Sequence, residues 1–154
     1  MTATTLPFLG GAGTVTGSKC LLTVGERRIL IDAGLFQGEK ELRELNWADF
    51  RIDPASIGDV LLPHAHMDHV GYLPRLVSGG FTGPVWATAP SIRLSEIVLR
   101  DSAFLNERDA EHAAQRGYSK HRPPLPLYTT ADVEATLPLF RPVGYHDPLD
   151  LGDG

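Results

Sequence analysis

The hexapeptide His64-Ala65-His66-Met67-Asp68-His69 constrains this chain more than any other feature. It gathers three of the six histidines and a carboxylate directly after the apolar run Val60-Leu61-Leu62. Neutral imidazoles and a carboxylate are ligands that zinc favours. His64 and His66 are two positions apart, so in an extended segment both rings leave on one side. Asp68 and His69 fall on the turn that follows and cannot enter the same ligand sphere without strain. The spacing therefore reads as two ligand pairs, one for each ion of a dinuclear site. Metals about 3.5–4 Å apart can hold a hydroxide between them and clamp the oxygens of a substrate under displacement. A metal-dependent hydrolase is the leading expectation. The competing reading, a surface loop histidine-rich by chance, must put half of all the histidines beside an acid in one short window.

Other chemistries lack their residues. A zincin helix needs a glutamate and two histidines four apart, and neither is present. Cys20 is the only cysteine, which excludes cysteine-rich zinc ribbons and disulfide frameworks. On a strand face it reads as a buried structural thiol rather than a nucleophile. Gly10, Gly11 and Gly13 suggest a nucleotide loop, but Thr16 stands where a dinucleotide fingerprint needs glycine, and no Gly-Lys-Ser/Thr follows. That stretch is read as a tight turn near the metal site.

The bulk numbers allow an ordinary globular domain: 42% of residues are hydrophobic and 21% charged. No apolar run approaches the ~20 residues that span a bilayer. Met1 to Gly11 lacks the basic start and apolar stretch of a signal peptide. With a single cysteine, this points to the cytoplasm. A net charge of −5 does not advertise a nucleic-acid surface, although a local basic groove can coexist with an acidic total. The most basic stretch, Arg108, His112, Arg116, Lys120, His121 and Arg122, is read as a solvated helix face and loop rather than an RNA-contacting rim.

Strand and helix signals alternate, which argues for α/β layers. Short strands are expected at Leu6–Leu9, Lys19–Val24, Arg28–Ile31, Asp59–Leu62 and Pro84–Thr88, the fourth delivering the histidines. Cys20, Leu22 and Val24 would share one strand face, and Ile29 and Ile31 another. Asp68–Val77 should be a helix ended by Gly79-Gly80. Ser91 to about Gln115 is the longest helical candidate, with Leu94, Ile97, Val98 and Leu105 as its apolar stripe. Thr129 or Thr130 can cap a helix over Ala131–Leu137. Asp147–Leu151 looks like the start of a further strand. Trp47–Ile52 is ambiguous.

The motif matches the HxHxDH signature of the metallo-β-lactamase fold, and the chain resembles its nucleic-acid-processing β-CASP branch. The resemblance also runs through Gly10-Gly11-Ala12-Gly13-Thr14-Val15-Thr16-Gly17-Ser18 and through Leu30-Ile31-Asp32-Ala33-Gly34-Leu35-Phe36-Gln37-Gly38. It continues in Gly117-Tyr118-Ser119-Lys120-His121 and Leu125-Pro126-Leu127-Tyr128-Thr129. These flanking segments, more than the histidines, favour the RNA-processing branch over glyoxalase-like or lactonase-like relatives.

The resemblance implies that His64 and His66 bind the first of two zinc ions, and Asp68 and His69 the second. Asp68 would also orient a metal-activated hydroxide for attack on an RNA phosphodiester. Asp32, at the end of a buried strand, would orient the histidine loop; its other reading is a turn-forming acid before Gly34. The family completes its site with a third histidine and a bridging aspartate further along, and neither has a counterpart here. His146 lacks the expected Gly-His setting and is left unassigned. Pro63 replaces the usual Thr or Ser and removes one backbone N–H from the loop. The expected fold is therefore α/β, an incomplete metallo-β-lactamase αββα sandwich: its N-terminal half, with a mixed sheet and flanking helices. Residues 1–154 would be the N-terminal part of such a domain, truncated before the later ligands and the β-CASP domain. Three consequences are expected: weak zinc binding, little activity alone, and self-association through an exposed sheet edge and apolar face. A thioester or lactone hydrolase of the same fold, or a non-catalytic metal-binding remnant, are the alternatives.

Overall fold

The computed structural model describes residues 3–116 and 124–152. The expected Gly117–His121 motif, with Lys120 and Arg122, lies outside the described residues. Seven strands form one mixed sheet, in the order β1-β3-β4-β5-β6-β7, with β2 also paired to β3. The strands are β1 Thr4–Thr5, β2 Phe8–Gly10, β3 Lys19–Val24, β4 Arg27–Ile31, β5 Asp59–Leu61, β6 Val85–Thr88 and β7 Phe140–Val143. β1, β2 and β4 run antiparallel to β3, whereas β4 to β7 are parallel. The helices are α1 Lys40–Glu44, α2 Met67–Val70, α3 Leu73–Ser78, α4 Ala89–Arg116 and α5 Thr130–Thr136. The α/β class with a mixed sheet and helices is as expected.

Register explains the core. Leu21, Leu30, Val60, Val85 and Phe140 stand side by side across five strands. All five are buried, and they form one core with Leu73, Leu76, Leu99 and Val133 from the helices. The next row, Cys20, Ile31, Leu61 and Trp86, points to the opposite face and is only half-buried. Cys20 is thus not the buried thiol expected; partial burial, then Asp32, still push its thiol pKa up. At the base of this face Asp59 is buried but satisfied, accepting from Arg27 Nη2 and Trp86 Nε1, each at 2.8 Å.

Several expectations need correction. Leu6–Leu9 is not one strand, because Pro7 separates two shorter pieces. The Asp68–Val77 helix is broken: α2 stops at Gly71 and α3 restarts with Pro74 in its first turn. A proline there has no N–H for Val70 and crowds its carbonyl. Asp147–Leu151 forms no strand; the seventh strand is Phe140–Val143, which follows a turn at Leu137–Leu139. Of the expected stripe on α4, Val98 packs against the core, but Leu94, Ile97 and Leu105 face outward, 56%, 65% and 53% exposed. The buried stripe is Ser95, Leu99 and Ala103, whose small members let α4 lie close to its neighbours. Thr129 caps α5 through a capping box with Asp132.

Lys19 was not singled out by its sequence setting. It is only 2% exposed, with Nζ 4.4 Å from the Phe36 ring centre and 4.6 Å from that of Tyr72. Its Nζ donates a long bond to Gly17 O at 3.4 Å. Burial pulls its pKa down from 10.5 to about 8.

Candidate metal centre

The histidine motif begins just beyond the C-terminal end of β5, beside the end of β4. Such carboxyl ends of parallel strands are where open α/β sheets bind ligands. His64 stands in the connection, His66 is the N-cap of α2, and Asp68 and His69 lie within α2. Winding straight from strand to one turn of helix brings the three rings together. The His64 ring centre lies 4.0 Å from that of His69 and 4.7 Å from that of His66. The three rings thus lie side by side, with His64 between the other two.

Asp32 reaches the cluster from the neighbouring strand. Its Oδ2 lies 2.9 Å from His69 Nδ1 and accepts from Ser18 Oγ at 2.7 Å. It adopts φ 65°, the left-handed region, where aspartate is among the better-tolerated side chains. Asp32 Oδ1 and His69 Nδ1 are buried without a hydrogen-bond partner. Buried polar atoms left in this state are costly and call for an explanation.

Backbone bonds clasp three segments around the site. Ala33 N donates to His69 O at 2.7 Å, and Leu35 N to Met67 O at 3.0 Å. Ser18 N donates to Asp68 O, and Gly34 N to Ser18 O, both at 3.0 Å. Gly34 is obligatory, because a Cβ there would overlap the Asp68 carbonyl. Gly17 is held for two reasons: its φ is 82°, and the Phe36 ring fills the space a side chain would need. The glycine-rich turn is therefore part of the site, as expected. Ser18, whose sequence setting gives it no separate role, supports Asp32 through its hydroxyl.

The donors suit zinc. Ligands about 2.0–2.1 Å from a tetrahedral zinc stand about 3.4 Å apart, and His69 Nε2 lies 3.4 Å from Asp68 Oδ2. Among the described residues, however, no three ligand-type side chains share one centre. Four donors divided between two ions would leave each ion two. His146 is exposed, with φ 65°. The chain presents donors without closing a cage.

The sequence profile of the metallo-beta-lactamase superfamily matches residues 13–145. The chain belongs to the metallo-β-lactamase superfamily. It is 42% identical over 147 residues to ribonuclease TTHA0252 of Thermus thermophilus, covering 96% of this chain and 30% of that protein. It is 31% identical over 141 residues to transcription termination factor FttA of Methanococcus maripaludis, covering 86% of this chain and 22% of the factor. A solved metallo-β-lactamase of Cronobacter sakazakii with a HARLDQ motif is 28% identical, with a TM-score of 0.42, over 57% of this chain and 30% of that one. The chain spans less than a third of the curated relatives named here. Among the described residues, no helix is long and apolar enough to cross a membrane.

Proposed function

We propose that this chain supplies the N-terminal part of a β-CASP-type ribonuclease that hydrolyses RNA phosphodiester bonds with two zinc ions. What supports the reading is the clasp: Ser18, Ala33 and Leu35 are bonded through their backbones to the histidine loop, in a chain 42% identical over 147 residues to a protein named a ribonuclease. His64 and His66 would hold one ion, and Asp68 and His69 the other. When bound, zinc acidifies water to a pKa of about 7 and neutralises charge on a phosphodiester. Asp32, held by Ser18, would orient the His69 ring from behind, its Oδ2 lying 2.9 Å from Nδ1. Asp68 is the acceptor placed to hold the proton of the attacking water. The remaining ligands would come from residues beyond this chain, so the isolated chain would bind zinc weakly and turn over little.

The test is metal-loaded protein incubated with end-labelled single-stranded RNA, a thioester and a lactone, with and without chelator. Slow RNA cleavage that excess zinc raises and the chelator abolishes is the expected result. Thioester or lactone turnover without RNA cleavage would overturn it in favour of an ester hydrolase. Zinc binding with no turnover of any substrate would leave a metal-binding remnant.

A further inference from the structure

Next to the metal centre, on the far side of the Leu35–Gly38 segment, lies a cavity of about 560 Å³. It is large enough for a nucleotide, within the ~300–1,000 Å³ typical of small-ligand sites. Leu35 and Leu127 are its buried apolar floor, Trp47 gives it an aromatic wall, and Gln37, Lys40 and Arg43 stand at its exposed mouth.

Three observations give it a ligand chemistry. The first is charge sorting on α1 and its flanks. Lys40 and Arg43, three apart and so on one helix side, both line the cavity, whereas of Glu39, Glu41 and Glu44 only Glu44 does. In a chain of net charge −5 the mouth thus carries two cations against the one carboxylate of Glu44. The second is rigidity. Phe36 N donates to Asn46 Oδ1 at 2.9 Å, and Asn46 Nδ2 donates back to Phe36 O at 2.8 Å. That buried amide holds the wall in place, and Gln37 N is tied to Thr16 Oγ1 at 2.9 Å. The third is continuity. Leu35 on the floor is bonded through its own N–H to Met67 O, inside the histidine motif. The cavity floor is thus tied directly to the histidine loop.

We infer that this cavity is a subsite for one nucleotide of single-stranded RNA flanking the cleaved bond. The base packs between Trp47 and Leu127, and the adjoining phosphate lies between Lys40 and Arg43. Stacking on an aromatic wall beside cations is how single strands are held without base-pair readout. The inference rests on the RNA-cleaving reading above and adds the place where the strand is gripped.

The test compares the metal-loaded protein with its Lys40→Glu/Arg43→Glu variant. The readouts are binding of a labelled RNA oligonucleotide over a range of salt, and hydrolysis of a small phosphodiester that cannot reach the cavity. Both residues are exposed, so the fold is expected to persist. The variant should bind RNA at least about tenfold more weakly at 50 mM salt, with a log–log salt slope shallower by about 1.4, and should hydrolyse the small ester as before. Trp47→Ala should weaken binding, and Trp47→Phe should restore it. Equal RNA affinity in variant and parent would overturn the subsite while leaving the ribonuclease reading intact. A parent protein that hydrolyses the small ester but binds no RNA would overturn both.

Discussion

Asp32 matters to the site out of proportion to its distance from the histidines in sequence. It touches the back of His69 and is itself held by Ser18, in a backbone conformation few side chains accept. Partners of this kind behind a metal-ligating histidine are typically worth 10–100-fold in metal affinity. Asp32→Ala should therefore lower zinc affinity by about that factor in a competition titration with a chromophoric chelator, and the sheet should survive. Asp68→Asn, which keeps shape but loses charge, should lower RNA cleavage by about 10²–10⁴-fold in a single-turnover assay.

Lys19 makes a prediction in pH. Below about pH 8 both folded and unfolded chains keep its proton, and the folded chain bears a cation in apolar surroundings. From about pH 8 to 10.5 the folded state sheds the proton while the unfolded chain keeps it. Stability should therefore rise with pH across that window, by up to roughly 3 kcal/mol. Urea midpoints at pH 7 and pH 10 check this: the parent should gain on Lys19→Met, which lacks the titration. The histidine motif and Asp32 were legible because ligand chemistry demands those residue types at those spacings. Lys19 was not, because a strand lysine normally lies outside the core; only the packing of Phe36 and Tyr72 over it shows otherwise.

At the scale of elements, alternation located most strands of the sheet, and Pro and Gly located most turns. The failures have physical causes. Hydropathy on α4 selects the large residues Leu94, Ile97 and Leu105, but close packing selects Ser95, Leu99 and Ala103. Leu99→Ala should cost about 2–5 kcal/mol in a denaturation curve, and Ile97→Ala no more than about 0.5 kcal/mol. The reverse order would restore the stripe read from sequence. β7 was missed because its Arg-Pro centre weakens a strand signal. Yet it is the edge among the described strands, where a missing N–H is tolerated. α1 was missed because five residues are too few for periodicity to register.

At the scale of the molecule, the described sheet has one face deep under helices and one only partly covered. The half-buried row of Cys20, Ile31, Leu61 and Trp86 is the apolar face, and β7 is a free edge among the described strands. Surfaces of this kind promote association. The isolated chain should therefore show a concentration-dependent rise in mass by sedimentation, and Leu61→Lys should reduce it. A monodisperse monomer at high concentration would argue that this face is stable in water. The same geometry explains why the site is open: donors come from the ends of β4 and β5 and from α2, and they cover one side of a metal centre. Zinc-edge anomalous diffraction from crystals grown in excess zinc tests that claim most directly. The account predicts two peaks, one about 2.0–2.2 Å from nitrogens of His64 and His66 and the other at that distance from a nitrogen of His69 and an oxygen of Asp68. Zinc bound elsewhere on the protein, with those four side chains free of metal, would contradict it.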